Sequence, residues 1–343
     1  MSASTRFQFA ELAVPVIAAP MAGGPSTPEL AAAATNAGGL GFVDSGYLSA
    51  DVFAERLARA QELASGPTGA NLFVPQPSTA NPADITRYAD ALAGEARRYG
   101  TELGEPRYTD DGWAAKLDVL LDLRPEVASF TFDCPSATEI RRLKDANIVT
   151  VATVTTVAEV QLAVSRGVDG VAVQGPSAGG HRGTYDPTAQ PATQPLPDLL
   201  AEVIACVAVP VVAAGGLMTA EDVDGVLRAG AVAAQLGTAF LLADEAGSSP
   251  VHRAALQDPQ FTEVVVTRVF SGRYARGLRN RFIDEHEAQA SFGYPEIHYL
   301  TSPVRRASVR AGDPHATNIW AGTGFKKIKT GSVASIMEAL SCR

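Results

Sequence analysis

The run Val168-Asp-Gly-Val-Ala-Val-Gln-Gly-Pro-Ser-Ala-Gly-Gly-His-Arg-Gly-Thr-Tyr185 decides the fold. Its first part, Val168 to Gln174, is rich in Val and Ala and reads as a strand buried on both faces. Gly175, Gly179, Gly180 and Gly183 follow, with one proline, one histidine and one arginine among them. Gly179 and Gly180 give a backbone that reaches positive φ and approaches a ligand closely. A turn that only reverses the chain needs no histidine, so His181 is a candidate functional group at a strand end.

Working outward, similar apolar runs recur at Val14–Ala19, Gly41–Asp44, Gly69–Val74, Val127–Phe132, Ile148–Val154, Pro210–Ala214 and Val232–Leu236. With Val168–Gln174 they make eight strands of the near-continuous kind found in parallel sheets. Between them lie Ala-, Leu- and Glu-rich segments with helical spacing, such as Pro28 to Asn36 and Ser49 to Leu63. Ser26 to Glu29, Ser136 to Glu139 and Thr156 to Glu159 fit the capping box, and Thr219 to Asp222 is a weaker variant. Repeated strand, cap and helix units predict an α/β protein built as a TIM-type (β/α)8 barrel. An open doubly wound sheet is the alternative. It is weakened because Ala22-Gly-Gly-Pro25, and no G-x-G-x-x-G, follows the first strand.

The barrel is expected over residues 1–241, with a smaller α/β domain at 242–300. The segment 301–343 is expected to pack back on the barrel. Pro75 to Arg124 is long for one crossover and reads as an elaborated loop and helix pair. The 343 residues are 46% apolar and 19% charged, ordinary for a globular enzyme. A net charge of −9 argues against nucleic acid as a partner. The start, Met1 to Phe9, lacks a signal-peptide core, and no apolar run reaches membrane length. Cys134, Cys206 and Cys342 form neither a disulfide framework nor a metal cluster, which suits the cytoplasm.

Reactive groups of such barrels sit at the carboxyl ends of the strands. There the chain carries Ala19-Pro20-Met21, Asn71, Gln174, the His181 loop, Gly215-Gly216 and Gln235-Leu236-Gly237-Thr238. The loops after strands seven and eight commonly bind phosphate through backbone amides, which suits both glycine-bearing ends. Each pair is also compatible with a plain tight turn. Asn71 and Gln174 match the mixed donor and acceptor edge of an isoalloxazine or pyrimidine, or serve as satisfied core amides. His181, with a free pKa near 6.5, is open to a role as general base or as a cation holding an anion. Arg273, Arg276, Arg279 and Arg281 read first as surface salt-bridge partners. Tyr294 and Tyr299 suit a pocket or an interface. His252, His286, His298 and His315 lack a glycine setting and are given no chemistry. A cysteine nucleophile of the nucleotide-dehydrogenase kind is absent from the glycine loop.

Taken together, Ala19-Pro-Met-Ala-Gly-Gly24, Asn71-Leu-Phe73, the Gly175 to Gly183 run, Ala213-Ala-Gly-Gly216, Gln235-Leu-Gly-Thr238 and Ser271-Gly-Arg273 resemble the nitronate monooxygenases, formerly 2-nitropropane dioxygenases. The likeness runs from about residue 12 to 325. It implies bound FMN and oxidation of alkyl nitronates by dioxygen to a carbonyl compound and nitrite, without NAD(P)H. It implies His181 as the catalytic group. It implies Asn71, Gln174, Gly179, Gly216, Gln235, Leu236, Gly237 and Thr238 as FMN contacts and a possible homodimer; Ala19, Pro20, Met21, Gly180 and Gly215, at the same strand ends, are expected to bind the cofactor with them. One departure stands out: the family loop commonly carries a glutamate where this chain has Ser177. The same fold serves NAD(P)H-driven FMN reductases of enoyl thioesters, which is the alternative function.

Overall fold

The apolar runs form strands because both of their faces find cover. A computed structural model describes residues 6–341. The strands are β1 (Val16–Ala18), β2 (Leu40–Asp44), β3 (Thr68–Phe73), β4 (Val127–Thr131), β5 (Val149–Val154), β6 (Gly170–Gln174), β7 (Gly180–His181), β8 (Val211–Ala214), β9 (Ala233–Leu236), β10 (Val264–Thr267) and β11 (Ala275–Leu278). The helices are α1 (Pro28–Asn36), α2 (Ala50–Leu63), α3 (Pro82–Arg98), α4 (Trp113–Leu123), α5 (Ala137–Asp145), α6 (Val157–Ser165), α7 (Leu196–Cys206), α8 (Ala220–Arg228), α9 (Pro250–Gln257), α10 (Arg281–His286), α11 (Glu296–Arg310) and α12 (Val333–Leu340). β1 to β6, β8 and β9 close a parallel (β/α)8 barrel, and β1 pairs with β9 to seal it.

Alternate strand residues face opposite ways. Val43, Ala70, Leu72, Ala128, Phe130 and Val171 pack outward against the helices. Ile17, Phe42, Val127, Val151 and Val212 pack inward, with Phe9 in the same cluster. Toward the carboxyl ends the inward positions turn polar: Asn71, Thr131, Thr153, Gln174 and Gln235 line a cavity there. The apolar half of the barrel supplies stability, and the polar half supplies a site.

The capping boxes at Ser136, Thr156 and Thr219 form, each with its acid reaching back to the cap amide. The first helix differs. Thr27, not Ser26, caps α1 by accepting from Leu30 N at 2.9 Å. Ser26 is drawn away because its Oγ accepts from Met21 N at 2.8 Å and so braces the loop after β1.

A second sheet of order β10-β11-β7 stands over the barrel mouth. Its β7 is the tip of the glycine loop, paired antiparallel with β11 through Ala275↔His181 and Arg276↔Gly180. His181 is therefore a strand residue rather than a loop residue. β10 is short, and a turn leads from it into β11. A second hydrophobic cluster joins Ile85, Tyr88 and Leu92 of α3 to Phe270, Phe282, Ile297 and Leu300. The long crossover thus contributes α3 to this upper core. α12 returns to pack on α1 and α8. No helix among the described residues is long and apolar enough to cross a membrane.

Candidate active site

One cavity of about 720 Å³ opens at the carboxyl end of the barrel. Ala19, Pro20, Met21, Asn71, Gln174, Gly179, Gly180, His181, Gly215, Gly216, Gln235, Leu236, Gly237 and Thr238 all line it. Residues scattered over more than two hundred positions meet there because each ends or follows a barrel strand.

The two amides named from the sequence are engaged differently. Asn71 Nδ2 donates to Ser129 Oγ at 2.8 Å and to Thr131 Oγ1 at 3.1 Å. Its carbonyl oxygen makes no bond to another described residue. Gln174 Nε2 donates to the His181 carbonyl at 3.1 Å, and Oε1 accepts from Gly183 N at 2.9 Å. Gln174 therefore braces the glycine loop from beneath.

The glycines also divide. A Cβ on Gly179 would lie 2.5 Å from backbone atoms of Ala321 and Gly322, so close packing of two chain segments requires glycine there. Gly180 has φ +73° with open space around it, so its requirement is conformational. The amides of Gly216, Gly237 and Thr238 donate to no other group among the described residues. They stand unspent at the ends of β8 and β9, as an anion site needs. Thr238 Oγ1 accepts from Gly322 N at 2.9 Å, which ties the segment after Trp320 to this wall.

His181 sits among rings. Phe132 lies edge-on at 5.7 Å between centroids, Tyr294 and Trp320 each at 5.6 Å. Its Nε2 is 2.8 Å from Ser271 Oγ. Burial, with Arg273 and Arg305 acting the same way, pushes the imidazole down to about 3. The ring is uncharged at neutral pH. Ser177, the departure noted in the loop, packs against Gly216, and its carbonyl accepts from Thr323 N at 3.1 Å.

The basic run splits. Arg279 and Arg281 form the ion pairs expected of them, with Glu263 and Asp284 and with Glu95 and Glu285. Glu95, Glu285 and His286 bring ligand atoms together away from the barrel mouth, but Arg281 already holds both carboxylates. Arg273 is buried instead. It donates to Gln76 Oε1 at 2.6 Å and to Thr184 O, and lies over the Phe132 ring at 4.0 Å.

Several lining residues escaped the sequence reading. Arg305 of α11 donates to Thr301 Oγ1, Asn318 Oδ1, Ser302 Oγ and the His298 carbonyl at 2.8–3.0 Å. All its acceptors are neutral. His298 and Tyr47 stack beside it, and His252 donates from Nε2 to Trp320 O at 3.0 Å. Only Ser271 carried a signal, as the first residue of Ser271-Gly-Arg273. Of the cysteines, Cys134 is buried with its thiol pushed up to about 12, Cys206 ends α7, and Cys342 lies outside the described residues.

Comparison with known proteins agrees with this geometry. The family model described as nitronate monooxygenase matches residues 5–342. A probable nitronate monooxygenase of Bacillus subtilis is 34% identical over 322 residues, 92% of each chain. One of Staphylococcus aureus is 33% identical over 336 residues, 96% of this chain and 94% of its own. The crystal structure of nitroalkane oxidase from Streptomyces ansochromogenes superposes with a TM-score of 0.92 at 44% identity, covering 97% of this chain and 96% of that one. FabK from Thermotoga maritima shares the fold at 23% identity and a TM-score of 0.74, over 97% and 93% of the chains. With a barrel mouth of this construction and a family match across its length, the chain belongs to the nitronate monooxygenase family.

Proposed function

We propose that this protein is an FMN-dependent oxidase of alkyl nitronates, taking the anion in preference to the neutral nitroalkane. Family membership supports the broader role in nitronate or nitroalkane oxidation. The observation that carries the finer reading is electrostatic. Arg305 lines the cavity, the buried Arg273 lies over the ring of the lining residue Phe132, and no carboxylate is among the hydrogen-bond acceptors of either. A buried guanidinium without a counter-ion favours an anionic ligand. The uncharged His181 adds nothing to that field, so the arginines supply it.

The residues present fit FMN. The free amides of Gly216, Gly237 and Thr238 suit its phosphate, and the Asn71 carbonyl oxygen suits a donor on the ring system. When bound, FMN supplies the redox centre between nitronate and dioxygen. The chain does the rest. Arg305 orients the anionic nitro oxygens, and Phe132, Tyr294 and Trp320 exclude water around the reacting carbon. In sum, two nitronates and one dioxygen give two carbonyl compounds and two nitrites, each carbon–nitrogen double bond being replaced by a bond to one oxygen atom of dioxygen.

The test is oxygen uptake by FMN-loaded protein given ethyl nitronate, or freshly dissolved nitroethane, without NAD(P)H. Fast uptake with nitrite release on the nitronate, and slow uptake on the neutral compound, is the expected result. Equal rates would remove the preference. No uptake, with NADH consumed alongside an enoyl thioester, would replace the oxidase reading with the reductase one.

A further inference from the structure

We infer that Ser271 is a positioning residue that holds His181 as its Nε2–H tautomer, so that Nδ1 faces the cavity as a proton acceptor. The oxidase reading enters only in the catalytic consequence; the tautomer stands on hydrogen bonds alone.

A serine hydroxyl has one hydrogen. Ser271 Oγ has two neighbours: the Arg273 carbonyl at 3.2 Å and His181 Nε2 at 2.8 Å. The carbonyl can only accept, so the hydroxyl hydrogen goes to it. Oγ then presents a lone pair to Nε2, which must carry the imidazole proton. Ser271 is 2% exposed, and no other described group competes for its hydroxyl. The β7–β11 pairing fixes the His181 backbone two residues beyond Arg273, and the flanking rings fix its plane. Nδ1 is left without a partner among the described residues, on a side chain that lines the cavity.

An atom that can only accept does not bind an anionic nitro oxygen. It faces a C–H or N–H donor. With a neutral nitroalkane the α-C–H bond breaks and its electron pair forms the C=N bond. The proton goes to Nδ1, by itself a weak base, whose protonated form is stabilised by the negative charge that the nitronate oxygens take up beside it. Charged and titratable groups around the ring are Arg273 before β11, Arg305 and His298 of α11, and Tyr294.

The experiment is ¹⁵N-imidazole NMR of the full-length protein at pH 7.5, with the His181 signals assigned through His181→Gln. The expected wild-type pattern is a protonated Nε2 and a bare Nδ1. Ser271→Ala is expected to mix the tautomers and Ser271→Thr to restore the pattern. In parallel, Ser271→Ala is expected to lower kcat on nitroethane at least about tenfold, with less effect on ethyl nitronate. A wild-type Nδ1–H signal, a charged ring, or an unchanged tautomer in Ser271→Ala would each overturn the inference. Should Ser271→Ala fail to fold, the wild-type spectrum decides by itself. A protein that oxidises no nitro compound would sink the oxidase reading while leaving the tautomer result intact.

Discussion

Tyr47 lies flat on His298, with ring centroids 4.0 Å apart and planes 4° from parallel. Its hydroxyl accepts from Tyr294 at 3.0 Å, which joins three rings in a single network. Tyr47 achieves this at φ +66°, an unusual backbone for a non-glycine residue. The loop is held there from outside the barrel. Asp111 Oδ1 accepts from Tyr47 N at 3.1 Å, and Lys116 Nζ donates to Ser45 O at 2.8 Å and Asp111 Oδ2 at 2.6 Å.

That clamp predicts the effect of Lys116→Met. Asp111 would keep a mostly buried charge without its partner, a loss of roughly 3 kcal/mol. Tyr47 would lose its hold on the wall, so KM for the nitronate should rise. Urea unfolding and steady-state kinetics check both parts. Lost stability with unchanged KM would separate Tyr47 from substrate binding.

Arg305 predicts charge selectivity. A unit charge a few ångströms away contributes about 1–4 kcal/mol at a typical effective dielectric. Arg305→Met should therefore raise KM for ethyl nitronate about ten- to a hundredfold and leave nitroethane less affected. Arg305→Lys keeps the charge but not the bracing of Thr301, Ser302 and Asn318. Recovery of selectivity in Arg305→Lys would assign the effect to charge. Loss in both would assign it to bracing.

The barrel was legible because parallel strands buried on two faces need unbroken apolar runs, and this chain shows eight. The cavity floor was legible because strand ends carry the chemistry in this architecture, so Asn71, Gln174 and the glycine pairs could be named in advance. The roof was not. Ser271, Tyr47, His298 and Arg305 reach His181 only through the β7–β11 pairing and α11, contacts between residues about ninety or more apart. Local sequence has no period that encodes such a contact. His298 in particular looks ordinary until Arg305 and Tyr47 are placed against it. Arg273 read as a surface residue because charge runs usually are solvated, and only the fold turns it inward.

The two neighbouring glycines should separate in their effects. Gly180→Ala meets open space and only the left-handed backbone penalty, about 1 kcal/mol. Gly179→Ala must push Ala321 and Gly322 away, with overpacking of roughly 1–3 kcal/mol. Thermal unfolding should rank Gly179→Ala as the less stable of the two. Flavin titration should show weakened binding in Gly179→Ala as the 321–324 segment shifts from Thr238. The reverse ranking would mean that the segment yields easily.

Acid should unfold the protein partly through its cavity histidines. Burial holds His181 near 3 and His252 near 4 in the native state, against about 6.5 unfolded. Above pH 6.5 both states are neutral and nothing is gained or lost. Below it the unfolded chain takes up protons the native state refuses, so stability falls as pH drops toward 4 and then 3. At pH 5 each histidine accounts for about 2 kcal/mol of that loss. His181→Gln and His252→Gln should each flatten the drop in melting temperature between pH 7.5 and 5. A slope unchanged in both variants would mean that these rings do take up protons in the folded protein.

Asp44 should act in the opposite sense. It ends β2, 1% exposed, with the Gly46 amide, Arg56 and Lys116 as its favourable neighbours. Burial raises it from 3.8 to about 7, and the attraction of Arg56 and Lys116 offsets this only in part. Below pH 3.8 both states are protonated. Between 3.8 and 7 the unfolded chain releases its proton while the native state keeps it, so stability falls as pH rises through that window. The full penalty, about 4 kcal/mol for a shift of this size, is present above pH 7. Asp44→Asn removes the ionisation and keeps the shape. Its amide carries its own fixed offset, so the informative quantity is how the difference from wild type changes with pH. Urea unfolding should show the variant gaining on wild type by about 2–4 kcal/mol between pH 4.5 and pH 8. A difference that stays constant across that range would mean that Asp44 is already ionised in the fold, with Lys116 or Arg56 as its effective counter-charge.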